Sequence, residues 1–170
     1  MIDEAFRVVR TNLEFMLGNE QHKTVIVTSF NPGSGKTFVS ANLAAAMSVK
    51  GKRVVVIDLD MRHASLSKFI GKPKQGISNY LAGYADECPV VKHPELENMS
   101  IIPVGTTPPN PTELLSNGRL ETLIEKLKTE YDYIFLDCPP MEIVADAKIV
   151  AKFADKTLFV VRAGMLEENA

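Results

Sequence analysis

Hydrophobic positions along this chain follow two rhythms. Short, nearly continuous apolar runs over Lys23–Ser29, Arg53–Asp58, Met99–Val104, Tyr131–Asp137 and Lys156–Arg162 predict five strands. An uninterrupted run such as Val54-Val55-Val56-Ile57 suits a strand covered on both faces, as in a parallel sheet. Between the runs, apolar residues recur at helical spacing. Residues 2–17 place Ile2, Phe6, Val9, Leu13 and Met16 in one narrow sector, and Gly18 with Asn19 ends that helix. A helix over Thr37–Lys50 turns Val39, Leu43, Ala46 and Met47 inward, with Gly51 as its stop. Another over Gly118–Thr129 buries Leu120, Leu123, Ile124 and Leu127. A further helix covers Asp146–Phe153.

The stretch from His63 to Met99 is broken by Gly71, Pro73 and Gly76 and yields only short helical pieces at Leu66–Ile70 and Ile77–Leu81. The Pro-rich loop Gly105–Pro111 leads into a short helix, with Asn110 as its cap, Pro111 at its first position and Glu113 at its third. Strands alternating with helices predict an α/β fold: a doubly wound, mostly parallel sheet with helices on both faces.

Candidate chemistry concentrates where strands end. The first strand runs into Asn31-Pro32-Gly33-Ser34-Gly35-Lys36-Thr37-Phe38 and then into a helix. Strand, glycine-containing loop, lysine, hydroxyl residue and helix form the arrangement of a phosphate-binding loop. Glycine lets the backbone curl so that successive N–H groups face an anion, and the helix start adds partial positive charge. Lys36 would reach the β- and γ-phosphates and Thr37 would ligate Mg²⁺. Phe30 stands where the strict pattern has its first glycine, so a glycine turn beside a chance lysine is the bland alternative. The second strand ends in Ile57-Asp58-Leu59-Asp60-Met61-Arg62 and the fourth in Asp137-Cys138-Pro139-Pro140. Carboxylates on the C-terminal rim of a parallel sheet can hold Mg²⁺ or accept a hydroxyl proton, although each pair alone is also compatible with solvated loop aspartates. On the first helix, Glu4, Arg7 and Arg10 recur every three residues, and spacing alone favours a solvated face over a subunit contact.

Composition narrows the choice. The chain has 170 residues, 45% of them apolar and 24% charged, which suits one domain with a full-sized core. A net charge of −2 offers no basic field for nucleic acid. No apolar run approaches the ~20 residues that span a bilayer. Cys88 and Cys138 match no metal spacing and read as reduced thiols, and His22, His63 and His93 read as surface residues.

Pro32–Thr37, the D-x-D-x-R of Asp58–Arg62 and Ile134–Pro140 together resemble the catalytic domain of the bacterial protein-tyrosine kinases of capsule and exopolysaccharide assembly, a branch of the MinD/ParA-like P-loop ATPases. Glu4–Arg10 is similar to that family's oligomerisation motif, which reverses the preference for a solvated face, and Pro108–Leu115 is similar to another of its segments. The resemblance implies a protein-tyrosine kinase that uses Mg-ATP and phosphorylates itself in trans. It implies that Pro32 to Phe38 hold the nucleotide, with Lys36 and Thr37 on phosphate and metal. Asp60 and Asp137 would surround Mg²⁺. Asp58, from the same metal-side set, would orient or deprotonate the phenol. Arg62 is left two uses, binding an acidic neighbour or fixing its loop.

Further implied are a ring-shaped homo-oligomer built through Glu4, Arg7 and Arg10, a transmembrane activator, and a place at the cytoplasmic face of the membrane. The family's tyrosine-rich tail has no counterpart here, where the tyrosines are Tyr80, Tyr84, Tyr131 and Tyr133. The expectation is therefore a trimmed catalytic fragment, or a kinase relying on other chains for substrate, with weak self-phosphorylation. The competing expectation is a nucleotide-switch ATPase, against which Asn31 and Pro32 stand where such switches carry an early lysine.

Overall fold

A computed structural model describes residues 4–19, 23–141 and 144–164. Ile2 and His22 lie outside them. Among the described residues, six strands form one sheet in the order β3-β4-β2-β5-β1-β6. They are β1 (Lys23–Ser29), β2 (Val54–Asp58), β3 (Val91–Lys92), β4 (Met99–Ile102), β5 (Tyr133–Asp137) and β6 (Lys156–Val160). All neighbours pair in parallel except β3, which runs antiparallel to β4. The mostly parallel, doubly wound expectation holds, with β3 as an added edge strand. Two residues carry too little pattern to announce a strand, so β3 is not legible from periodicity.

Helices α1 (Glu4–Leu17), α2 (Lys36–Val49), α3 (Ser65–Phe69), α4 (Ile77–Leu81), α5 (Pro111–Leu115), α6 (Arg119–Glu130) and α7 (Val144–Ala151) cover the sheet. Two apolar layers result. Val25, Val27, Val54, Val56 and Phe135 pack under α2. Ile26, Val55, Ile57, Ile134 and Leu136 face Leu120, Leu123, Ile124 and Leu127 of α6, the predicted inward face. Alternation along each central strand splits its residues between the two layers.

Two local expectations change. The buried stripe of α1 holds Leu13 and Leu17, with Phe6 half-buried, whereas Val9 is 36% and Met16 63% exposed. The reason is the partner: α1 lies on α2, with Phe6 edge-on to Phe38 and Arg10 donating to the Ala46 carbonyl at 3.1 Å. A guanidinium therefore occupies a position in that contact face which periodicity assigns to apolar residues. Asn110 precedes α5 as expected, but its side chain donates to Glu113 Oε2 at 2.6 Å instead of capping a backbone N–H.

The middle segment is built onto the end of β4. Ile77 and Ser78 N–H groups donate to Pro103 and Val104 carbonyls. A Cβ on Gly76 would lie 2.3 Å from the Pro103 oxygen, so that glycine permits a backbone contact no other residue fits.

Candidate active site

Strand register does most of the positioning. β5 lies between β1 and β2, and Asp58 is paired in register with Asp137. Val27, two residues before the end of β1, is paired with Asp137 on its other side. Three strand exits therefore open on one rim. The exits are tied together: Leu59 N–H donates to the Asp137 carbonyl at 2.9 Å, Cys138 N–H to Val27, and Thr28 Oγ1 to the Pro139 carbonyl.

The loop after β1 turns through two left-handed glycines, Gly33 at φ 75° and Gly35 at φ 94°. Those values are open to glycine and strained for other residues. Gly35 caps α2, which starts at Lys36, so the first N–H groups of that helix face the loop. The Ser34 hydroxyl bonds the Asn31 carbonyl at 2.8 Å and draws the loop closed. Pro32 and Gly33 are exposed, Lys36 is buried, and the Phe38 ring is turned toward α1. The contribution of Phe38 to an anion site is thus limited to its backbone.

Thr37 Oγ1 donates to Asp137 Oδ2 at 2.7 Å, joining the loop motif to the β5 motif. Ser67 of α3 grips Asp58 Oδ2 twice, from its N–H at 2.8 Å and its hydroxyl at 2.6 Å. Asp60 Oδ1 accepts the His63 N–H at 3.2 Å and faces the His63 ring at 3.1 Å. Asp58 and Asp137 are 0% exposed, and Oδ1 of each is buried without a hydrogen-bond partner. Burial pushes Asp58 up to about 6, opposed by the Ser67 bonds and helped by the charge of Asp60. Burial also pushes Asp137 up to about 7, opposed by the Thr37 bond and by Lys36 and raised further by Asp58 and Asp60. The charges of Lys36, Asp58 and Asp60 all bear on Asp137, which places the four in one electrostatic neighbourhood.

Two buried carboxylate oxygens lacking partners are costly unless a cation or proton completes them. That donor set fits a hard divalent cation. Among the described residues no three His, Cys, Asp or Glu side chains already form a metal cage. The expected Asp58–Asp60–Asp137 set is therefore not preassembled. Mg²⁺ in phosphoryl-transfer sites is ordinarily completed by substrate phosphates and water, which accounts for the partial set.

Residues 22–166 match the family model described as an AAA domain. The chain is 35% identical over 170 residues to the tyrosine-protein kinase CpsD of Streptococcus agalactiae, covering 98% of this chain and 72% of that protein. The chain belongs to the bacterial protein-tyrosine kinase family. Its fold agrees: the kinase domain of the Escherichia coli tyrosine kinase ETK superposes with a TM-score of 0.90 at 35% identity, over 96% of this chain and 65% of that one. The septum site-determining protein MinD of Pyrococcus horikoshii, complexed with Mg-ADP, has a TM-score of 0.68 at 28% identity, over 82% of this chain and 58% of its own. The P-loop resemblance and the doubly wound expectation are thus both met.

Other sequence expectations divide. Glu4 and Arg7 are exposed and 3.4 Å apart, while Arg10 is anchored on α2. Arg62 binds an acidic neighbour, Asp146, at 2.7 Å. Cys88 and Cys138 are free thiols, and burial raises both above their ordinary values. Among the described residues no helix is long and apolar enough to cross a membrane. Sequence reasoning missed Ser67, which no periodic or motif signal marks. It also missed Asp146, visible only as an acidic residue at the start of a helix.

Proposed function

We propose that this chain is the ATP- and Mg²⁺-dependent catalytic unit of a protein-tyrosine kinase acting in capsular or exopolysaccharide synthesis. The observation that carries the reading is the register pairing of Asp58 with Asp137 and the bond from Thr37 to Asp137, which together join three separate motifs at one rim. When bound, Mg-ATP supplies the transferable γ-phosphoryl group and a cation that offsets its negative charge. The backbone N–H groups of Gly33 to Phe38 and the Lys36 ammonium bind phosphate oxygens. Thr37, Asp60 and Asp137 hold the cation, with Asp58 close to the same set. Asp58, held by Ser67 and raised toward neutrality, orients the acceptor phenol and accepts its proton. The phenol has an ordinary pKa near ~10, so a nearby carboxylate or the metal must assist that loss.

A homo-oligomeric ring through Glu4, Arg7 and Arg10, a transmembrane activator or chain-length regulator, and a place at the inner face of the membrane complete the proposal. The exposed Glu4 and Arg7 support the first of these. No basic field supports nucleic acid as a partner. Incubation with Mg-ATP and a tyrosine-rich peptide tests the reading. Phosphotyrosine on the peptide supports it, and phosphate release without phosphotyrosine favours the nucleotide-switch alternative suggested by the likeness to MinD.

A further inference from the structure

One buried carboxylate has no task in this scheme. Asp146 sits in the first turn of α7 with its side chain 1% exposed. Its Oδ2 accepts a hydrogen bond from Arg62 Nη1 at 2.7 Å, and its Oδ1 accepts one from Thr112 Oγ1. Arg62 follows Asp60 by two residues. Thr112 is the second residue of α5, within the Pro108–Leu115 segment. The Asp58–Arg62 motif and the Pro108–Leu115 segment thus end on a single side chain.

The arrangement has a mechanical consequence for Asp60. The turn after β2 closes through the Ala64 N–H on the Asp60 carbonyl at 2.7 Å and the His63 N–H on Asp60 Oδ1. Ala64 holds a left-handed conformation, φ 49°, which a non-glycine residue keeps only where its surroundings enforce it. The bond from Arg62 to Asp146 is such a hold from outside the turn. Charge-assisted hydrogen bonds are short and directional, and removing one partner strands the other's buried charge. We propose that Asp146 is a positioning residue for phosphoryl transfer. It sets the Asp60 turn through Arg62 and couples that turn to α5 through Thr112, so that α5, α7 and the catalytic rim adopt their places together. This rests on the kinase reading of the rim.

The test uses the full chain and the variants Arg62→Ala, Arg62→Lys, Thr112→Val, Asp146→Asn and the double variant Arg62→Ala/Asp146→Asn. Turnover is measured with Mg-ATP and a tyrosine-rich peptide. ADP affinity without Mg²⁺ is measured by displacement of a fluorescent nucleotide. Amide exchange is followed at His63 and Ala64. Arg62→Ala is expected to lower kcat about tenfold or more while ADP affinity without Mg²⁺ stays within about threefold, and Arg62→Lys to recover part of the rate. Thr112→Val is expected to lower kcat severalfold. The double variant should be no worse than Asp146→Asn alone, because one interaction has been removed twice. Exchange at His63 and Ala64 should quicken in every variant.

Unchanged kcat in folded Arg62→Ala, a parallel loss of ADP affinity measured without Mg²⁺, or independent effects in the double variant overturns the proposal. If the parent chain makes no phosphotyrosine, the kinase reading fails, and amide exchange still decides the coupling: faster exchange supports it and unchanged exchange overturns it. If Asp146→Asn does not fold, Arg62→Lys and Thr112→Val carry the same decision.

Discussion

The two ends of the β2–β5 pair place charged residues side by side and treat them in opposite ways. At the entry end, Arg53 and Asp132 face each other. Arg53 Nη2 lies 2.9 Å from Asp132 Oδ1, their side chains are 53% and 27% exposed, and each residue also bonds the other's backbone. The Arg53 hydrogen bond, with its charge, holds the Asp132 carboxyl below the usual range. At the exit end, Asp58 and Asp137 face each other in the same register, fully buried, and both are pushed up by burial. Opposite charges at one end close the structure. Like charges at the other end form the proposed seat of a cation. The lesson is that a carboxylate at a strand end is read by its partner and its burial, since the strand pattern is the same in both places.

Lys36→Met breaks the functional end most severely. It removes the buried cation of the phosphate loop, and turnover should fall by roughly 10³-fold or more. Retained turnover, measured as phosphotyrosine or phosphate release, counts against the site. Next in size is a matched pair of substitutions. Asp137→Asn should cut turnover by about 10²-fold yet raise the melting temperature of metal-free protein, because it removes a buried charge. Asp132→Asn should leave turnover within about twofold and lower the melting temperature slightly. Equal effects from the two substitutions would erase the contrast between the ends.

The pH dependence of stability sharpens the same contrast. Asp58 and Asp137 bind protons more tightly folded than unfolded, from 3.8 up to about 6 and about 7. Their contribution is fully present below the unfolded value and is lost as pH rises through the folded values. Metal-free protein should therefore lose on the order of a few kcal/mol between pH 4 and pH 7, a slope that Asp137→Asn flattens. Asp132 behaves in the reverse sense: its lowered pKa contributes stability above 3.8 that is lost as pH falls through the folded value. Chemical denaturation across pH for the parent and both Asn variants checks the two signs. The smallest effect concerns neither end. Arg7→Ala with Arg10→Ala should leave the strand rim intact and reduce the mass of any assembly seen by light scattering. An unchanged mass returns α1 to a solvated helix.

Much of this was readable from the chain. Each of the five predicted strands lies within about two residues of its observed bounds, because central parallel strands are apolar throughout and their ends are marked by Gly, Pro and Asp. Lys36, Thr37, Asp58, Asp60 and Asp137 were visible because each terminates or follows such a run. What stayed hidden depends on contacts between distant segments. The two-residue β3 exists only by pairing with β4. The buried face of α1 is set by α2, which accepts Arg10 where periodicity asks for Val9. Ser67 and Asp146 act through partners 9 to 84 residues away in the chain, which no local pattern encodes.

Phosphoryl transfer at this rim requires the exit-end carboxylates to seat a cation that nucleotide completes. The most direct measurement is the melting temperature of ADP-loaded protein at pH 7 with and without Mg²⁺, for the parent chain and for Asp137→Asn. A clear Mg²⁺-dependent rise is expected in the parent and not in the variant. An identical Mg²⁺ response in both proteins would contradict it.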